Sequence, residues 1–103
     1  TKFSSIEKIG DTFLDNCFTL DLQECQPLCV LRNVEKNIEV QLLPDESYPY
    51  LQVYTPPHRR SIAIENLSGT PDAFNNGMGV TTLESGQSAL YKTSYKILLL
   101  EKI

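Results

Sequence analysis

The chain has 103 residues, of which 41% are hydrophobic and 21% are charged. This balance is typical of a folded domain rather than a disordered segment. Nine Lys and Arg residues against thirteen Asp and Glu residues give a net charge of −4, which argues against nucleic acid as a partner because domains that bind it carry a basic surface. Apolar runs such as residues 97–100 fall far short of the roughly 20 residues that a membrane-spanning helix needs, so we expect no membrane partner.

The chain contains three cysteines, Cys17, Cys25 and Cys29. An odd number cannot close a set of disulfide bonds, and three thiols are far fewer than a cysteine-stapled scaffold carries. The spacing of Cys25 and Cys29 differs from a C-x-x-C motif, and no second Cys/His pair completes a zinc site. We therefore interpret them as ordinary thiols in a protein of a reducing compartment, the cytoplasm.

The dominant hydrophobic period is two, which predicts β-strands rather than helices. In chain order, the segments predicted to be extended are 17–20, 28–33, 37–42, 50–55, 61–65, 80–83 and 89–100. Residues 33–37 have the composition of a hairpin turn, and residues 84–87 form a second predicted turn. The pattern predicts an all-β fold, an antiparallel β-sandwich.

The segment 50–55 has two chemically different faces. Leu51 and Val53 share one face, and Tyr50, Gln52 and Tyr54 share the other. Two aromatic rings beside an amide form a plausible sugar platform, because aromatic faces cover the apolar side of a pyranose and amides bond its hydroxyls. The alternative is an ordinary mixed face of a sheet.

Glu65 is predicted to end the strand 61–65, and a long irregular segment, 66–79, follows it. A carboxylate in that place could lie in a pocket, where burial would raise its pKa toward the range of a general base. The alternative is a solvent-exposed glutamate at a strand end. Asp15 precedes the first predicted strand, a position where aspartate usually serves a turn.

The sequence lacks a G-x-S-x-G elbow, a P-loop and a G-x-G-x-x-G motif, and His58 is its one histidine. No motif indicates a metal or a nucleotide cofactor, so we expect none. His58, Arg59 and Arg60 follow two prolines and could hold a phosphate or a carboxylate. A charged surface loop is the other interpretation.

Several segments in chain order resemble the C-terminal portion of the aldose 1-epimerases, the galactose mutarotase family. Residues 14–18 are similar to the family's D-x-x-F element and residues 51–55 to its Q-x-Y-T strand. Residues 62–75 are similar to its L-E-x-x-x-x-P-D-A-x-N segment. Residues 83–95 match the closing L-x-P-G-x-x-Y-x-x-x-T-x-Y pattern more loosely, with Ser85 in place of the usual proline.

The resemblance implies that residues 1–103 are the C-terminal section of one larger β-sandwich domain. It implies an isomerase in which Glu65 is the general base, while Asp15 and Gln52 bind the hydroxyls of a free hexose such as glucose or galactose. The family's general-acid histidine would lie outside this chain, and His58 matches none of its histidines. Two alternatives stay open, a non-catalytic carbohydrate-binding β-sandwich and a hexose-6-phosphate mutarotase.

Overall fold

The computed structural model of the chain describes residues 6–23 and 26–100. Over these residues the chain forms six strands and one short helix. They are β1 (Asp15–Thr19), β2 (Cys29–Asn33), β3 (Ile38–Pro44), β4 (Tyr50–Tyr54), β5 (Ala63–Leu67), α1 (Ala73–Asn76) and β6 (Thr93–Leu99). No helix in this part of the chain is long and apolar enough to cross a membrane.

The strands form two antiparallel three-stranded sheets in the described residues. The first sheet has the order β1-β4-β5, and the second has the order β2-β3-β6. The all-β prediction is therefore confirmed. The arrangement is sandwich-like, because apolar side chains of the first sheet pack against those of the second.

The predicted strands agree best with the observed strands in the middle of the chain. The turn at residues 34–37 joins β2 to β3 as a hairpin, and Asn37 adopts a left-handed conformation with φ of 54°. Asparagine tolerates that region because its short polar side chain bonds locally. Strand β4 alternates as predicted, with Leu51 and Val53 buried and their neighbours half-buried.

The structure differs from the prediction at several strands, including β5, which is Ala63–Leu67 rather than 61–65. Residues 80–83, predicted to be extended, form no strand. The last strand begins at Thr93 rather than at residue 89. Strand β1 begins at Asp15, which was expected to precede the strand, because β1 pairs with β4 from Asp15 onward. An alternating pattern without a neighbouring strand leaves its backbone groups unpaired, so the pattern by itself does not make residues 80–83 a strand.

The core lies between the two sheets. Its most buried apolar residues are Leu14, Leu42, Leu51 and Val53, each at most 8% exposed. Partly buried apolar residues from both sheets surround them: Phe18, Leu20, Cys29, Val40, Ile62 and Ile64. Leu42 on β3 is the second sheet's buried member of this cluster, and Cys29 and Val40 of the same sheet are its partly buried members.

Two polar contacts reinforce this core. The backbone N–H of Leu14 donates to Oγ1 of buried Thr55 at 2.8 Å, and the N–H of Thr55 donates to the carbonyl of Leu14 at 2.8 Å. Between the sheets, Nδ2 of Asn66 on β5 donates to the hydroxyl of Tyr95 on β6 at 2.9 Å. The bonds of Leu14 and Thr55 satisfy buried polar groups that would otherwise lose water without a replacement partner.

The side chains of β6 that face the first sheet are more exposed than those of the neighbouring strand β3. Tyr95, Ile97 and Leu99 are 59%, 71% and 80% exposed, although their register partners on β3 include the buried Leu42. The apolar surface between the sheets therefore continues along β6 beyond the first sheet.

Glu39 is a buried carboxylate on the outer face of the second sheet. Its Oε1 accepts hydrogen bonds from Nε and Nη2 of Arg32, at 2.9 and 2.6 Å, and its Oε2 accepts from Nε2 of Gln41 at 2.6 Å. The hydrogen bonds from Gln41 and Arg32 lower the pKa of Glu39, because they stabilise the charged form.

We expect Leu42→Ala to lower the free energy of unfolding by about 2 to 5 kcal/mol, because it removes a fully buried side chain and leaves a cavity. Leu90→Ala is the control, since Leu90 is 85% exposed and its truncation is expected to change stability by less than about 0.5 kcal/mol. Urea unfolding followed by circular dichroism measures both. Equal stabilities of the two variants would contradict the assignment of Leu42 to the core.

A second prediction concerns acid. Because the folded-state pKa of Glu39 is lowered, its stabilising contribution is present above the unfolded-state pKa of about 4.3 and is lost as the pH falls through the folded-state value. Glu39→Gln is therefore expected to be less stable than the wild type near neutrality and to lose less stability on acidification from about pH 5 to about pH 2. Urea midpoints across this range provide the measurement.

Glu35→Gln is the matched control for that experiment, because it makes the same chemical change at an exposed residue of the β2–β3 turn. The control should keep the acid sensitivity of the wild type. Parallel pH profiles for Glu39→Gln and the wild type would show that the Arg32–Glu39–Gln41 cluster does not contribute to acid unfolding.

Candidate functional site

The outer face of the first sheet carries a regular array of side chains. Antiparallel register places residues from β1, β4 and β5 directly opposite one another, so that they form three rows. The rows are Asp15–Tyr54–Ala63, Cys17–Gln52–Glu65 and Thr19–Tyr50–Leu67. The first two rows contain all three residues that the sequence singled out for a site.

The structure brings Asp15, Gln52 and Glu65 to one cleft of about 600 Å³. Nε2 of Gln52 donates to Oδ1 of Asp15 at 2.8 Å, and Gln52 lies directly opposite Glu65 in the register. Residues from β4, β5 and the following loop complete the lining: Tyr54, Leu67, Gly69, Thr70 and Pro71. The cleft therefore combines two carboxylates and an amide with apolar walls.

Gln52 has an unusual environment at the centre of the array. Its Oε1 is fully covered and has no hydrogen-bond partner among the described residues, while its Nε2 is held by Asp15. An unpaired covered acceptor costs about 1 to 3 kcal/mol of desolvation, and such groups are rare in folded proteins. Within the described part of the chain, Gln52 therefore has an amide oxygen free to accept a hydrogen bond, while its amide nitrogen is already bonded to Asp15.

Glu65 lies in the middle of β5 and not at its end, since the strand continues through Asn66 to Leu67. The prediction of a strand-end residue was wrong. The residue faces the cleft, but its side chain is exposed, so the burial that was expected there is not observed. Within residues 6–23 and 26–100 its carboxylate accepts no hydrogen bond and forms no ion pair, which leaves it available to a ligand.

The loop after β5 forms one wall of the cleft, and the sequence analysis did not identify this role. The chain reverses so closely here that Gly69 and Gly79 touch. The N–H of Thr70 donates to the carbonyl of Met78 at 3.1 Å, and the side chains of Thr70 and Asn76 are hydrogen-bonded. The signal available in the sequence was the pair of glycines at either end of the segment.

The two aromatic residues proposed as a sugar platform occupy different environments. A Cβ at Gly79 would lie 3.0 Å from Cε2 of Tyr50, so the loop lies against that ring. Tyr54 instead lines the cleft, and its ring makes an edge-to-face contact with Phe13, with centroids 6.5 Å apart. The cleft therefore contains one of the two tyrosines.

The basic loop at residues 58–60 lies on the surface and forms hydrogen bonds with other parts of the chain. Nη2 of Arg59 donates to the carbonyls of Gly10 and Thr12, at 2.7 and 3.0 Å. The backbone N–H of Arg60 donates to Nδ1 of His58 at 2.9 Å. This arrangement is that of a surface loop which anchors the segment before β1, and none of the three basic residues lines the cleft.

Two of the cysteines lie in the described residues, and neither forms a disulfide. Cys17 is exposed in the same row as Gln52 and Glu65, and Cys29 is half-buried beside the core. Desolvation raises the pKa of both thiols. The third cysteine, Cys25, lies outside the described residues. Among those residues, no three His, Cys, Asp or Glu side chains are grouped closely enough to hold a metal ion.

Fold and site together define an all-β protein with a polar cleft on the outer face of one of its antiparallel sheets. Comparison of the chain with protein-family models, with curated protein sequences and with solved structures finds no match.

The cleft wall provides a test of its own. Gly79 has φ of +80°, and a Cβ there would lie 2.6 Å from both Cα of Gly69 and the carbonyl oxygen of Ser68. Gly79→Ala is therefore expected to separate the two ends of the loop and to destabilise the chain by more than the roughly 1 to 2 kcal/mol that a left-handed alanine costs. Urea unfolding and the amide chemical shifts of residues 68–79 report both effects.

Gly86→Ala is the matched control, because Gly86 has a similar φ of +85° but nothing within 4 Å of an added Cβ. It should show the conformational cost alone and leave the amide signals of residues 68–79 unchanged. Equal destabilisation by the two substitutions would rule out the close approach of Gly69 and Gly79.

Proposed function

We propose that this chain supplies the base side of an aldose 1-epimerase active site, within the C-terminal section of a galactose mutarotase-like β-sandwich. The cleft on the outer face would bind a free hexopyranose. Glu65 would remove the proton from the C1 hydroxyl, and Asp15 and Gln52 would hold other hydroxyls of the sugar.

The observation that carries this proposal is the meeting of Asp15, Gln52 and Glu65 in a single cleft. These residues come from three different strands, and the resemblance of the sequence implies a role in sugar binding or catalysis for each of them. The cleft is widely open to solvent, and its volume of about 600 Å³ lies within the range of roughly 300 to 1,000 Å³ that small-molecule sites occupy.

The exposed inner face of β6 supports the second part of the proposal. Ile97 and Leu99 are apolar and 71% and 80% exposed, although they lie in register with strand β3, which contributes Leu42 to the core. Large exposed apolar surfaces mark sites where another structural element packs. A larger sandwich, with further strands over β6, would cover them.

The chemistry needs one base and one acid. When a base takes the proton from O1, the electrons of that bond form the C1 carbonyl, the C1–O5 bond breaks, and an acid protonates O5. Rotation about C1–C2 presents the other face of the aldehyde, and the reverse transfers close the ring as the other anomer. Both steps are proton transfers, so side chains suffice.

The groups in the cleft suit the base side of this reaction. The Glu65 carboxylate is accessible to the cleft and has no competing partner in the described part of the chain. Asp15 accepts from Gln52 at Oδ1, which orients both side chains while Oδ2 keeps its capacity to accept from sugar hydroxyls. The acid that protonates O5 would come from outside the chain, as the resemblance implies.

Glu65→Gln, made in the longer polypeptide that the proposal requires, is expected to slow mutarotation by about 10² to 10⁴-fold, because glutamine cannot take the proton. Polarimetry on freshly dissolved α-glucose and α-galactose measures the rate. Glu84→Gln is the control, since Glu84 is an exposed acid in a turn and does not line the cleft. Near-normal mutarotation by Glu65→Gln would refute the role of Glu65. The 103-residue chain alone should not exceed the buffer rate.

A non-catalytic carbohydrate-binding protein is the second candidate. It is favoured by the exposure of Glu65, because the burial that suits a carboxylate to general-base catalysis is not observed there, whereas a carboxylate that only binds sugar hydroxyls does not need it. Hexose binding without any acceleration of anomer exchange by the longer polypeptide would select this candidate.

A further inference from the structure

The residues that line the cleft in the described part of the chain include one aromatic side chain, Tyr54. Tyr54 lies between Asp15, directly opposite on β1, and Ala63, directly opposite on β5. The small side chain of Ala63 leaves one side of the ring open toward β5. Glu65 is the diagonal neighbour of Tyr54 across the same strand pair, at a distance of about 7 to 8 Å that an aromatic ring can reach.

The Tyr54 ring has an aromatic neighbour outside the sheet, Phe13. Phe13 contacts it edge to face, with an angle of 86° between the ring planes and 6.5 Å between the centroids, an arrangement that aromatic pairs prefer. Tyr50, on the same face of β4, is covered by the loop at Gly79 and does not line the cleft. Tyr54 therefore lines the cleft, and Tyr50 lies against the loop instead.

From this geometry we propose that Tyr54 is the stacking platform of the cleft and makes it selective for the cyclic form of a sugar. The inference rests on the proposed sugar-binding function. A pyranose has a rigid face of C–H groups that packs on an aromatic ring, whereas an open-chain polyol with similar hydroxyls has none. A ring lying on Tyr54 has Asp15 at one end and Glu65 at the other, which directs its anomeric carbon toward Glu65.

The assignment separates two kinds of recognition in one site. Asp15, Gln52 and Glu65 offer hydrogen bonds, which an open-chain polyol can also make. Tyr54 offers a flat apolar surface, and a ring of C–H groups packs on it whether or not that ring has an anomeric carbon. Tyr54 is thus a positioning and specificity residue and takes no proton.

The test is a set of NMR titrations of the longer polypeptide that the proposed function requires, with three probes. Glucose has a ring and an anomeric carbon, myo-inositol has a ring without one, and sorbitol is the open-chain polyol of glucose. Glucose and myo-inositol are expected to shift the Tyr54 ring protons and to bind more tightly than sorbitol. Tyr54→Leu should weaken glucose and myo-inositol roughly 3- to 10-fold and leave sorbitol unchanged, the size of effect that an aromatic contact provides.

Tyr54→Phe should bind like the wild type, because it keeps the ring and removes the hydroxyl. Tyr91→Leu is the control for loss of an exposed tyrosine, since Tyr91 packs on Tyr48 rather than in the cleft. Unchanged glucose binding by Tyr54→Leu, or sorbitol binding equal to that of glucose in the wild type, would overturn the stacking role.

Failure of the stacking role differs from failure of the proposed function. If Tyr54→Leu has no effect while Glu65→Gln abolishes mutarotation in the longer polypeptide, the platform is wrong and the epimerase proposal stands. If none of the three probes shifts any signal of the cleft in the longer polypeptide, the sugar site itself is wrong, and both proposals fail.

Discussion

The register of β4 is the constraint on which both the core and the cleft depend. This strand lies between β1 and β5, and its side chains alternate, so Leu51 and Val53 enter the core while Gln52 and Tyr54 face the cleft. A shift of one residue would exchange the two sets and bury an amide and a phenol in place of two aliphatic chains. The packing energy of the core thus also sets the position of the polar residues on the opposite face.

Local sequence patterns predicted β4 well because both of its faces are distinctive. Leu51 and Val53 repeat at the spacing of a strand with one buried face, and two prolines end it. The same reasoning placed Gln52 with the two tyrosines on the opposite face, as observed. It could not predict which of the two tyrosines lines the cleft. That depends on Gly79, which is distant in the chain and lies against the ring of Tyr50. Contacts between segments far apart in the chain leave no periodic signal.

Glu65 illustrates the same division between local and distant information. Alternation correctly assigned it to the face opposite Ile62 and Ile64, but the end of β5 was misplaced because Asn66 and Leu67 pair with β4 as well. Strand ends are set by the partner strand, and a residue such as Asn66 with low strand propensity is accepted when its partner continues. The direction of a side chain was therefore easier to predict than its exposure, and the exposure is what decides how Glu65 meets a ligand.

The hydrogen bond between Asn66 and Tyr95 has a consequence for the covalent state of the chain. Residues 66–68, Asn-Leu-Ser, match the acceptor tripeptide for N-linked glycans. In the folded chain, however, Nδ2 of Asn66 donates to the Tyr95 hydroxyl between the sheets, and its Oδ1 is fully covered. A glycan on that nitrogen would occupy the space where β5 meets β6. A glycan at Asn66 and the contact of Asn66 with Tyr95 therefore involve the same nitrogen atom, which ties the covalent state of the tripeptide to the contact between the sheets.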